Sequence, residues 1–161
     1  MSANRLARRI TRVGRIAESA PPAPPLLTGA EVFGGSVQVR FINAGGCSDC
    51  GLEVMSALGP VYDAERYGIH LVASPRHADV LLITGAVTHN MLEPLRRAIE
   101  ATPLPRFIIA VGDCAITGGI AGAGYGVVGP VSSIVDVDLE VPGSPPEPAQ
   151  IVGALRRVTG R

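Results

Sequence analysis

Two stretches of this chain are apolar without a break: Val80-Leu81-Leu82-Ile83 and Phe107-Ile108-Ile109-Ala110-Val111. Such runs, set in residues 79–85 and 106–112, predict strands buried on both faces, the habit of a parallel sheet. Residues 37–42 predict a further strand, ending at Asn43-Ala44-Gly45-Gly46, and residues 69–72 a short one. Residues 134–141 read as a strand of mixed polarity. Between these lie segments of helical period. Residues 50–66 predict a helix with Leu52, Met55, Leu58 and Val61 as its apolar positions. Residues 91–101 predict another, with Leu92, Leu95 and Ile99 inward. Residues 147–158 predict a third, opening after Pro145-Pro146, where proline is tolerated. The glycine-rich residues 118–129 read as loop. Strand–helix alternation with buried strands predicts an α/β fold, a doubly wound (flavodoxin-like) parallel sheet flanked by helices.

The first 34 residues follow neither rhythm. Leu6, Ile10, Val13 and Ala17 fall at helical spacing among Arg5, Arg8, Arg9, Arg12 and Arg15. Residues 1–20 are therefore expected to be a basic amphipathic helix on a membrane surface or partner, or else a solvated tail. Residues 21–34 read as a Pro-rich linker and residues 35–161 as one globular domain. The 161 residues are 47% apolar with a net charge of +0, and beyond residue 20 nine arginines face thirteen carboxylates. That balance predicts no nucleic-acid partner. No apolar run of about 20 residues is present, so no transmembrane helix is expected. Membrane contact is expected through partners or through residues 5–17.

The chemistry lies where the apolar runs end. Cys47 and Cys50 form a C-x-x-C pair after the first strand, and Cys114 follows another in Val111-Gly112-Asp113-Cys114-Ala115. Ser144 occupies the matching place after the last strand, in Pro142-Gly143-Ser144-Pro145-Pro146. Three cysteines do not suggest a disulfide framework. Open α/β sheets bind ligands beyond the carboxyl ends of their strands, so three thiols from distant segments could meet at one rim. Iron–sulfur clusters are usually held by four thiolates. Other readings stay open: a redox-active dithiol, a structural metal site, or a core thiol at Cys114. His70, His77 and His89 do not stand at zinc-ligand spacing with the cysteines. His77 and Asp79, just ahead of a strand, read as loop-fixing residues. The glycines of residues 112–124 match neither a P-loop nor a dinucleotide fingerprint.

Four segments together carry a resemblance that covers about residues 35–158. They are Gly46-Cys47 with Cys50 and Glu53, then Arg76-His77-Ala78-Asp79 running into Val80 to Gly85, then Gly112-Asp113-Cys114-Ala115 with Gly118-Gly119, and finally Pro142-Gly143-Ser144-Pro145-Pro146. The chain resembles the small, cluster-bearing subunit shared by complex I (the 20 kDa, NuoB-type subunit) and the membrane-bound group 4 nickel–iron hydrogenases, including formate hydrogenlyase. The C-x-x-C spacing is similar to the hydrogenase branch, since complex I subunits carry adjacent cysteines there. The resemblance implies one 4Fe–4S cluster with Cys47, Cys50 and Cys114 as ligands. Ser144 stands where the family has its fourth cysteine, and Glu53 matches an acidic residue near the cluster. It implies an electron-transfer subunit of an oxidoreductase complex. That subunit passes electrons to or from a large catalytic subunit and assembles with other hydrophilic iron–sulfur and membrane subunits. The complex would lie on the cytoplasmic side, peripheral on the inner face of the cell membrane. Because oxygen is a harder donor than sulfur, Ser144 leaves three cofactor states: 4Fe–4S, 3Fe–4S, or no cluster. In the last case the chain would be an assembly subunit.

Overall fold

The computed structural model describes Arg8 and residues 11–14, 21–120, 122 and 124–161. Five strands form one parallel sheet: β1 (Val37–Asn43), β2 (Ile69–Leu71), β3 (Val80–Thr84), β5 (Phe107–Val111) and β7 (Leu139–Val141). Their order across the sheet is β2-β1-β3-β5-β7. Chain order reverses between β1 and β3, the switch point at which doubly wound sheets open a crevice. The α/β expectation therefore holds. A separate two-stranded antiparallel ladder joins β4 (Val87–Thr88) to β6 (Val127–Gly129).

The continuous apolar runs explain the layering. Every residue of β3 and β5 is buried. Val80, Leu82, Phe107, Ile109 and Val111 face one core layer, while Leu81, Ile83, Ile108 and Ala110 face the other. Helices α1 (Asp49–Leu58) and α4 (Pro148–Thr159) cover the first layer through Val54, Ala57, Ile151 and Leu155. Helices α2 (His89–Ala101) and α3 (Asp113–Thr117) cover the second through Leu95, Ile99 and Ala115. Successive side chains of a strand alternate faces, so a strand served by both layers must be apolar throughout.

The structure differs from the sequence reading in four places. Helix α1 ends at Leu58 rather than near residue 66, because Gly59 precedes Pro60 and is extended (ψ 168°). Its buried stripe is Cys50, Val54 and Ala57, whereas Leu52, Met55 and Val61 are exposed. Residues 118–129 are not wholly loop, since β6 lies within them. The last strand is limited to Leu139–Val141, preceded by a 3-10 turn at Val131–Ser133. Ahead of β1, Leu27 and Phe33 pack on the core, and the Arg156 guanidinium donates to the Pro21 and Pro22 carbonyls. Of the expected N-terminal apolar stripe, Leu6, Ile10 and Ala17 lie outside the described residues, and Val13 is exposed. No helix among the described residues is long and apolar enough to cross a membrane.

Candidate metal centre

The loops that follow β1, β5 and β7 meet at the C-terminal rim of the sheet. After β1, the Asn43 Oδ1 accepts hydrogen bonds from the Gly45 and Gly46 amides, both at 3.0 Å. This Asx turn fixes the chain just before Cys47. Gly46 then lies against the loop after β3: a Cβ on Gly46 would stand 2.5 Å from the Gly85 Cα. Only a residue without a side chain allows that approach. Cys47 is exposed, while Cys50, in the first turn of α1, is buried on the helix stripe that faces the sheet.

The second loop brings Cys114. Gly112 ends β5 with φ 89°, and a Cβ there would meet the Cys50 Sγ at 2.6 Å. The Cys50 sulfur thus reaches the end of β5. Gly119 (φ 56°) stands in the same relation to the Cys114 Sγ, again 2.6 Å from a hypothetical Cβ. A side chain at either glycine would press on a thiol. The third loop is clamped to the second by paired bonds: the Asp113 amide donates to the Gly143 carbonyl (2.8 Å), and the Gly143 amide donates to the Asp113 Oδ1 (2.9 Å). Ser144 follows at once and is exposed.

Cys47, Cys114 and Ser144, with Asp113, Gly119 and Ile120, line one open cavity of about 600 Å³. Cys50 lies just beneath. Burial pushes its thiol up from 9.0 to about 11, and the charges of Cys47, Cys114 and Asp49 push the same way. Cys50 therefore lies within electrostatic reach of both other thiols, and a Cys50 thiolate would be repelled by theirs. A bound cationic group relieves such repulsion and deprotonates its thiol ligands.

Donor chemistry tests which group fits. Among the described residues, no three His, Cys, Asp or Glu side chains are gathered tightly enough to hold a single metal ion. A lone tetrahedral ion with metal–sulfur bonds of about 2.3 Å would draw its sulfurs together. A multi-iron cluster spreads its thiolates over different irons, and soft sulfur donors suit it. The cavity, the glycine-lined approach and three thiols from two loops fit a cluster at three corners. The fourth corner offers the hard oxygen of Ser144.

The sequence-predicted residues fall as follows. Cys47, Cys50, Cys114 and Ser144 come to one rim. Glu53 is half-buried on α1, one turn beyond Cys50, and does not line the cavity. His77 is exposed, and Asp79 fixes the start of the sheet by accepting from the Gln38 amide at 2.8 Å. The sequence reading missed Asp113 as the clamp between loops. Its signal was an acid directly before a candidate ligand cysteine. It also passed over Thr84, the single polar side chain in the β3 run.

Three relatives bear on what this rim serves. A probable membrane-bound hydrogenase subunit of Pyrococcus furiosus is 44% identical over 120 residues, covering 74% of this chain and 72% of that one. Formate hydrogenlyase subunit 7 of Escherichia coli K12 is 47% identical over 114 residues, or 71% of this chain, and the match spans 45% of that protein. Among solved structures, a chain of the membrane-bound sulfane sulfur reductase, an archaeal respiratory membrane complex, superposes with a TM-score of 0.70 at 29% identity, covering 81% of this chain and 72% of that one. The sequence profile of the NADH ubiquinone oxidoreductase 20 Kd subunit matches residues 47–158, from the first candidate ligand to the last helix, and the chain belongs to that family.

Proposed function

We propose that this chain is the iron–sulfur electron-transfer subunit of a hydrogenase-like or complex I-like oxidoreductase. The observation that carries the reading is that Cys47, Cys114 and Ser144 line one cavity while the Cys50 sulfur reaches Gly112, two residues before Cys114. Cys47, Cys50 and Cys114 would hold the cluster, and Ser144 would face its fourth position. When bound, the cluster supplies one-electron oxidation and reduction. The protein's part is to fix the thiols: Asn43 sets the Cys47 loop, α1 presents Cys50 inward, and Asp113 ties the Cys114 loop to the Ser144 loop. Glu53, one turn beyond Cys50 on α1, would be a hydrogen-bonding or proton-carrying group for the site.

The partner side of the reading rests on exposed apolar residues at this rim. Ile120 lines the cavity and is fully exposed, and Leu52 and Met55 lie outward on α1. A large catalytic subunit docking there would cover both the apolar surface and the cluster. The relatives named as membrane-bound hydrogenase and formate hydrogenlyase subunits favour a multi-subunit assembly; on this reading the complex would lie peripheral on the inner face of the cell membrane. Residues 1–20 would add contact with the membrane surface.

The test is anaerobic reconstitution with iron and sulfide, followed by iron and sulfide analysis and electron paramagnetic resonance. A three-iron or four-iron stoichiometry with a matching signal is expected. Substoichiometric iron would leave the second reading, an assembly subunit without a cluster, which the serine at position 144 favours.

A further inference from the structure

Thr84 closes β3, the central strand of the sheet, two residues before Ala86 of the cavity wall. It is 1% exposed, and its Oγ1 has no hydrogen-bond partner. Buried hydroxyls are almost always paired, and an orphan one opposes folding. Valine has the same shape without the hydroxyl, so packing alone does not account for threonine at this position.

Strand alternation shows which way the side chain faces. Val80 and Leu82 belong to the layer under α1 and α4, and Leu81 and Ile83 to the opposite layer. Thr84 therefore faces α1. Cys50 is on the buried stripe of that helix, at the turn nearest the rim. Thr84 also pairs in register with Val111, and the next residue, Gly112, is the one whose Cβ would touch the Cys50 sulfur. Two residues further along, Ala86 lines the cavity. Neighbouring polar groups are already satisfied: the Thr84 carbonyl accepts from the Ala44 amide, and the Thr88 hydroxyl donates to the Ala44 carbonyl. The unpaired hydroxyl is on the sheet face covered by the helix that carries Cys50.

We propose that Thr84 is a positioning residue whose hydroxyl donates a hydrogen bond to sulfur at the Cys50 corner of the cluster. The inference rests on the cluster reading above. A donor pointed at sulfur stabilises the reduced, more negative state, so it raises the reduction potential. It also explains why an orphan hydroxyl is kept: its acceptor arrives with the cofactor.

The experiment compares the native chain with Thr84→Val and Thr84→Ser, each reconstituted anaerobically with iron and sulfide and titrated potentiometrically by paramagnetic resonance. Thr84→Ala replaces the valine variant if that one does not fold. Thr84→Val is expected to show a lower midpoint potential and an altered signal, with Thr84→Ser close to native. Without iron, Thr84→Val is expected to melt no lower than native, because the lost hydroxyl had no partner. Iron lost from the valine variant alone, and kept by serine, also supports the proposal. Full iron with unchanged potential and signal in Thr84→Val overturns it and leaves the cluster reading standing. Failure of the native chain itself to take up iron overturns both.

Discussion

The two ends of the sheet use the same side-chain chemistry to different ends. At the start of the strands, Asp79 and Asp138 each stand one residue before a strand and each accept from a neighbouring strand. Asp79 takes the Gln38 amide at 2.8 Å, and Asp138 takes the Ile108 amide at 2.7 Å. Their bonds close the edge. At the far end, Asp113 does similar work for Gly143, but around it stand three free thiols and the unpaired Thr84 hydroxyl. The two aspartates before the strands are spent on the fold, whereas the thiols and the Thr84 hydroxyl at the rim have no partner in it among the described residues. Native proteins leave few buried polar groups unmatched. Under the proposed reading the rim carries the ligand chemistry, while Asp79 and Asp138 at the opposite edge serve the fold. Substitutions should then separate into two kinds, those that cost stability and those that cost iron.

The largest effect on the fold is expected in the core layer beneath the rim. Leu82 is 1% exposed between the layers. Leu82→Ala should lose about 2–5 kcal/mol of stability, the usual cost of a core leucine. Chemical denaturation of the metal-free protein measures it. Iron per chain, taken under conditions where the variant stays folded, should match native. A variant that kept its stability but lost iron would erase the proposed division between core and rim.

Asp79→Ala and Asp113→Ala form the sharper pair. Each removes a carboxylate that accepts one backbone amide, so each should cost about 1.5–3 kcal/mol. Only Asp113→Ala should also reduce iron retention, because it frees the Ser144 loop from the Cys114 loop. Parallel denaturation and iron analysis of the two variants decide this. Equal iron in both would mean that the clamp is structural alone.

A smaller effect appears with pH in the metal-free protein. Burial holds the Cys50 thiol near 11 in the fold against 9.0 ordinarily, with the Cys47, Cys114 and Asp49 charges adding to the rise. Between these values the unfolded chain has lost the proton that the folded chain keeps. Unfolded chains then bind fewer protons, so stability falls as pH rises. The contribution is fully present below about pH 9 and is lost through about pH 11. Melting temperature against pH should decline more steeply in native protein than in Cys50→Ala over that window. Parallel curves would show that the Cys50 thiol titrates as in water.

Which features the sequence displayed follows from the same physics. The unbroken runs of β3 and β5 announce themselves because both faces are dry. The cysteines stand out because Cys114 follows such a run and Cys47 and Cys50 follow the alternating strand β1, and the sheet's parallel direction then brings them together. Helix α1 misled the reading. Its inward stripe is Cys50, Val54 and Ala57, of which two are small, while its larger residues Leu52 and Met55 face outward. Periodicity finds an apolar face but does not say whether a sheet or a partner covers it. The β4–β6 ladder has too few residues for any period to show. Asp113 and Thr84 act across the fold, through Gly143 thirty positions away and through the face of a strand, and no local pattern displays such links.

The change with least effect on the fold tests the fourth corner. Ser144 is exposed, so Ser144→Cys should alter stability by no more than about 0.5 kcal/mol. Its effect on metal should be far larger in proportion. A thiolate is a softer donor than a hydroxyl oxygen, and iron–sulfur centres favour it. The added cysteine would complete a four-thiolate set whose loop Asp113 already holds in place. More iron per chain after reconstitution and a changed paramagnetic signal are expected. If the native signal is that of a three-iron cluster, the variant should show a reduced four-iron signal instead, because the empty corner then has its ligand. If native protein and Ser144→Cys both exclude iron, the rim does not bind a cluster. The cavity would then be a surface for a partner, and the electron-transfer reading would give way to assembly.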